Sequence, residues 1–190
     1  MNIAILGWGS LIWDRRELSV MGEWQKDGPV LPIEFSRISN DGRLTLVIDE
    51  ENGVPVQTRY AQSGSGSLNQ AIENLRKREG SPKSMIGVVS QIINNSRAGY
   101  EIIKAWAEDR NWDAVIWTGL PSNFAHKTQV SFTESNGLNY LKKLEGIKKT
   151  KAKEYIEQAP EEIDTPLCSA IALEGWAVRK KKTLISLNKT

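Results

Sequence analysis

The stretch AILGWGSLIW, residues 4–13, breaks a short apolar run with Gly-Trp-Gly-Ser and then turns apolar again at once. The run before it, NIAIL, reads as a β-strand ending at Gly7. Two glycines flanking a large aromatic indicate a tight loop in which backbone amides stay exposed. What those amides hold is the functional question; the strands after the loop decide the fold.

Two β-rich runs come next, LPIEFSRIS and RLTLVID, separated by the hairpin signal NDG. DEENG makes a second turn, and VPVQTRYAQ alternates like one half-buried strand. Three strands joined by short turns predict an antiparallel meander. SLNQAIENLRKREG is the clearest helix: Ser67 caps it, Gln70 stands three residues on, and Gly80 stops it. MIGVVSQII returns to strand. SRAGYEIIKAWAEDRN reads as an amphipathic helix with Tyr100, Ile103 and Ala107 on one face, and DAVIWTGLP as a further strand. GLNYLKKL and KAKEYIEQA read as short helices, and SAIALEGWAVR as a closing strand. The expectation is a single α+β domain over residues 1–190 with a mixed, closed sheet. No repeat or linker interrupts it beyond SGSGS at 63–67.

Composition narrows the function classes. A net charge of +2 does not by itself favour nucleic acid or an anionic membrane. The basic runs KKLEGIKKTKAK and RKKK read as solvated faces, without the interleaved aromatics of RNA-binding motifs. No apolar run reaches the roughly 18 residues a membrane span needs. One cysteine, Cys168, excludes an intrachain disulfide. With no basic leader at the N-terminus, these features predict a cytoplasmic protein.

The helix at 68–79 carries one anomaly. Leu68, Ile72 and Leu75 mark its buried stripe, and continuing that stripe by four residues reaches Glu79. Burial disfavours a charged carboxylate, and so does the negative end of the helix dipole. Both push Glu79 toward the range where a general acid or base works near neutral pH. The structural alternative is that Glu79 turns to water or pairs with Arg78.

Taken together, the first strand, GWGSLIW, the later strands and LRKREG resemble the γ-glutamylcyclotransferase superfamily, in particular its ChaC-like branch. The likeness covers roughly residues 3–92. The family's Tyr-Gly-Ser loop is matched at Gly7, Gly9, Ser10, Leu11, Ile12 and Trp13, with Trp8 in place of tyrosine. An indole N–H thus stands where the family has a hydroxyl. The dipeptide Glu-Gly recurs at 145–146 and 174–175; chain order and the apolar stripe single out Glu79. EFSRIS is similar to the arginine-bearing strand of the ChaC-like branch, which brings in Arg37.

The resemblance implies a small mixed β-barrel with flanking helices. The implied reaction is cyclisation of a γ-glutamyl amine or peptide to 5-oxoproline, with release of the amine. Glu79 is the implied general acid/base; Gly7, Trp8, Gly9, Ser10, Leu11 and Arg37 are the implied substrate-binding residues. The implied partner is a small-molecule γ-glutamyl substrate, with no metal or cofactor. The alternative is a catalytically inactive domain of the same kind that binds a small acidic ligand or a protein partner. A nucleic-acid role is not expected, since it requires a continuous basic face.

Other motifs are weaker. Gly7-Trp8-Gly9 opens like a dinucleotide fingerprint, but Ile12 replaces its last glycine and no βαβ unit follows. Cys168 and His126 could form a nucleophile pair only if the fold joined them. Asp49, Glu50 and Glu51 read as a solvated turn. Arg37 reads either as a carboxylate partner or as a surface residue of an edge strand. The tryptophan-rich segment at 100–120 either lines a pocket or packs.

Overall fold

The computed structural model describes residues 1–177, so the RKKK run and the end of the predicted closing strand lie outside the described residues. β1 (Ile3–Gly7) is buried along its whole length at the centre of a five-stranded sheet. It pairs in parallel with β8 (Ala114–Thr118) and antiparallel with β6 (Arg59–Ser63). The edges are β2 (Val20–Gln25), beside β6, and β7 (Ile86–Ser90), beside β8. A strand buried on both faces reads as a continuous apolar run, which is why NIAIL shows no alternation. Ile3 and Ile5 pack with Ile86 and Ile116 against α1 (Leu68–Glu79). Ala4 and Leu6 pack with Val115 and Trp117 on the other face.

That second face meets a three-stranded antiparallel sheet in the order β4 (Leu44–Ile48), β3 (Val30–Ile38), β5 (Val54–Gln57). Leu31, Ile33 and Phe35 of β3 complete the shared core. The predicted hairpin of β3 and β4 is present. The predicted meander is not, because β5 pairs with β3 instead of β4. VPVQTRYAQ is also two strands. The chain leaves the small sheet at Thr58, whose N–H and hydroxyl both donate to the Pro29 carbonyl at 3.2 and 2.6 Å, and β6 enters the large sheet. Alternation runs on through this corner, so periodicity does not mark it. Among the described residues the strands form two sheets, neither closed, in place of the expected barrel.

The helix α1 has its predicted bounds. The Ser67 hydroxyl accepts from the Gln70 N–H at 3.4 Å, and Gly80 ends the helix in the left-handed region at φ 60°. In α2 (Tyr100–Asp109), Ile103 and Ala107 are buried and Tyr100 is half-buried. The remaining helices are α3 (Phe124–Thr128), α4 (Glu134–Lys142), α5 (Gly146–Gln158) and α6 (Pro166–Leu173). Residues 169–173 of the predicted closing strand belong to α6, and a turn follows them. Thr165 accepts from the Cys168 N–H and Pro166 occupies the first turn, so the start signal outweighs the strand-like composition.

Glu34 of β3 is buried, and its Oε1 accepts from the Phe35 N–H at 2.6 Å and the Thr165 hydroxyl at 2.7 Å. Burial, partly offset by these bonds, raises its carboxyl to about 7 from 4.5. The unfolded chain therefore ionises first as pH rises. Glu34 favours the fold fully below pH 4.5, and that contribution is lost as pH rises to about 7. Glu34→Gln keeps an oxygen acceptor and removes the ionisation. Urea unfolding at pH 5 and 8 is expected to show the variant gaining on the parent at pH 8 by about 1–3 kcal/mol.

Candidate functional site

β1 and β8 run side by side, and their carboxyl ends open into a cleft of about 510 Å³. This size suits a small-molecule substrate. Gly7, Trp8, Gly9, Ser10, Leu11, Arg37 and Glu79 all line it. Residues 80–82 beyond α1, parts of β3 and β4, and Tyr155 of α5 complete the walls.

The loop after β1 is held by two short backbone bonds. The Ile12 N–H donates to the Gly9 carbonyl at 3.0 Å and the Asp14 N–H to the Ser10 carbonyl at 2.8 Å. Among the described residues, the N–H groups of Gly9, Ser10 and Leu11 have no protein partner. They form a short run of free donors at the cleft, the arrangement that suits an anion or a polarised carbonyl oxygen. Trp8 is buried and donates its indole N–H to the Leu46 carbonyl at 3.3 Å. It fastens the loop to β4, and that donor is taken by the protein.

Glu79 meets the loop through Arg78. The Arg78 side chain is only 5 % exposed. Its Nη2 donates to Ser10 Oγ at 3.1 Å and to the Asp14 carbonyl at 2.6 Å; Nε donates to the same carbonyl at 3.2 Å. Its Nη1 donates to Glu79 Oε1 at 2.9 Å. One guanidinium thus ties the loop to the carboxyl. Burial raises the Glu79 carboxyl above the usual range, against the charges of Arg78 and Arg16 and the Arg78 hydrogen bond. The pairing with Arg78 and the inward placement of Glu79 are present together.

Tyr155 and Arg43 belong to the site and have no motif of their own. Tyr155 is buried, which pushes its hydroxyl up to about 12. Its Oη accepts from the Leu46 N–H at 3.3 Å, and its ring meets Trp13 edge-on at 5.2 Å. The Arg43 guanidinium lies 5.4 Å from the ring centroid. KAKEYIEQA marks Tyr155 only as helical, since what places it here is a contact with a loop far away in sequence.

A Cβ on Gly9 would lie 2.8 Å from Tyr155 Oη, closer than such contacts occur. Gly9→Ala is expected to cost about 1–3 kcal/mol through overpacking. In a Tyr155→Phe background the same change is expected to cost measurably less, because the obstructing oxygen is gone. Chemical denaturation of the four proteins in that cycle measures the difference.

Arg37 lies on β3 opposite Thr45 of β4, beyond residues 30–33 where β3 also pairs with β5, so the sheet flanks it on one side only. Trp106, Trp112 and Trp117 do not line the cleft: Trp106 and Trp112 pack around Tyr60, and Trp117 is in the core. Asp49 Oδ1 accepts from the Glu51 and Asn52 N–H groups and so organises the turn read from DEENG. His126 and Cys168 are outside the cleft, on α3 and α6. Among the described residues no group of three or more His, Cys, Asp or Glu is placed to hold a metal, and no helix is long and apolar enough to cross a membrane. Comparisons with protein-family models, curated proteins and solved structures find no significant match to this chain.

Proposed function

We propose that this cleft cyclises a γ-glutamyl amine or peptide, releasing 5-oxoproline and the free amine. The observation that carries the reading is that Glu79, a carboxyl raised by burial, and the loop amides of Gly9, Ser10 and Leu11 share one cleft. The motif likeness to γ-glutamylcyclotransferases supports it, although two open sheets replace a barrel.

In this reading the substrate's α-amine attacks its own γ-carbonyl carbon. A carbon–nitrogen bond forms, closing the five-membered ring, and the bond to the departing nitrogen breaks. Glu79 accepts the proton that the attacking amine loses and returns it to the departing nitrogen. Arg78 holds the carboxyl in place during both transfers. The loop amides donate to the substrate carboxylate or to the oxygen that gains charge as the ring closes. Trp8 and Arg37 shape the walls, and the cleft holds the chain in the folded form that closure needs. A cytoplasmic setting belongs to the same proposal, in keeping with a single cysteine.

The Arg78–Glu79 ion pair favours a second reading. A carboxylate held by a buried guanidinium suits a site that binds a small acidic ligand without turnover. An assay for 5-oxoproline across γ-glutamyl amines and dipeptides separates the two. The first reading predicts release from at least one compound. Binding without release supports the second.

A further inference from the structure

The backbone of Leu46, in β4, holds two aromatic side chains of the cleft. Its carbonyl accepts from the Trp8 indole at 3.3 Å, so that donor is taken. Its N–H donates to Tyr155 Oη at 3.3 Å. This bond uses the oxygen of the phenol and leaves its proton. Among the described residues the Tyr155 O–H has no acceptor. A hydroxyl that already accepts one hydrogen bond is the stronger donor for it.

The hydroxyl also stands beside the free donors of the loop. A Cβ on Gly9 would lie 2.8 Å from Oη, so Oη borders the segment whose Gly9, Ser10 and Leu11 N–H groups have no protein partner. Tyr155 lines the cleft with them. Its buried ring meets Trp13 edge-on at 5.2 Å and Phe35 edge-on at 6.3 Å, which fixes the direction of the phenol. A donor fixed in advance needs no reorganisation as charge develops on a reacting oxygen. Burial raises the phenol and the Leu46 N–H lowers it; of the charges that face it, Glu79 raises it and Arg43 and Arg78 lower it. It stands at about 12 and keeps its proton at neutral pH.

We infer that Tyr155 is a catalytic residue whose O–H donates to the γ-carbonyl oxygen of the substrate as the α-amine attacks. That oxygen gains charge when the ring carbon–nitrogen bond forms and loses it when the bond to the departing nitrogen breaks. The tyrosine proton stays on Oη throughout, and Glu79 alone moves protons between the nitrogens. The inference rests on the cyclotransferase reading. It adds a residue of α5, which lies outside the segment that carries the motif likeness.

Rates of 5-oxoproline release from a γ-glutamyl dipeptide test it. They are measured for the parent, for Tyr155→Phe and for protein with ring-fluorinated tyrosines placed at 155, each checked for fold by circular dichroism and urea unfolding. Tyr155→Phe removes the donor and is expected to lower kcat by about 10²–10³-fold with KM nearly unchanged. It also removes the acceptor of the Leu46 N–H, which the fluorinated tyrosines keep. Fluorine makes a phenol more acidic, and an ionised phenol has no proton to donate. The fluorinated proteins should therefore lose kcat on an alkaline limb that moves to lower pH with each added fluorine. A structural role for the ring predicts no such limb, and if Tyr155→Phe unfolds the fluorinated proteins decide alone. Release that survives Tyr155→Phe, a loss confined to KM, or a pH profile that ignores the fluorines would overturn the inference and leave the cyclotransferase reading standing. No release by the parent from any γ-glutamyl compound removes both.

Discussion

Glu79→Gln is expected to lower kcat for 5-oxoproline release by about 10²–10⁴-fold, the usual contribution of a positioned general acid/base. The glutamine keeps the size of the side chain and an oxygen that can accept from Arg78 Nη1, so circular dichroism and the unfolding midpoint should change little. KM should also move less than kcat, because the proton transfers occur on the way to the transition state. In the parent, the base must be ionised to act. Burial holds the Glu79 carboxyl above its usual range, so kcat/KM should fall as pH drops through that raised value, not near the ordinary 4.5. A full loss of activity with an unfolded variant would carry no mechanistic weight, which is why the fold check runs on the same samples.

Arg78→Met is expected to have the largest effect on stability, about 3–5 kcal/mol. The change removes the bonds to Ser10 Oγ and the Asp14 carbonyl and leaves Glu79 without its partner. Urea unfolding measures this loss. A second effect has a definite sign. Arg78 opposes the upward shift of Glu79, so its removal pushes the carboxyl higher still. The acid limb of the pH–rate profile should move to higher pH, and a carbon-detected titration of the Glu79 carboxyl should move with it. Arg78→Lys keeps a charge but not the fork that reaches loop and carboxyl together. It is expected to hold the Glu79 titration closer to the parent while still loosening the loop. In the double variant with Glu79→Gln the stability cost should be less than additive, since the two side chains share one bond.

The site is more legible in the sequence than the sheet. The glycines beside Trp8 mark a loop with free amides, and the stripe through Leu68, Ile72 and Leu75 brings Glu79 inward; both are local signals carried by a few neighbouring residues. Arg78 is legible only as a pairing partner, because periodicity gives no account of a side chain that turns back along the helix end to reach Ser10 and Asp14. Tyr155 and Arg43 enter through distant contacts that no motif encodes. The strand corner at Thr58 is hidden because the alternation passes through it while the pairing partner changes. β2 escapes notice for a different reason: it is an irregular edge strand in which only Trp24 is buried, so it shows no apolar face. The signal for α6, Thr165 followed by Pro166, is present and outweighs the strand-like run after it.

The most direct measurement is a mass-spectrometric time course of 5-oxoproline from a γ-glutamyl dipeptide, with parent protein and Glu79→Gln at equal concentration. Catalysis by Glu79 predicts product that grows in proportion to parent protein and stays at the buffer rate with the variant. Equal product from both proteins, or none from the parent with any γ-glutamyl compound, would contradict it.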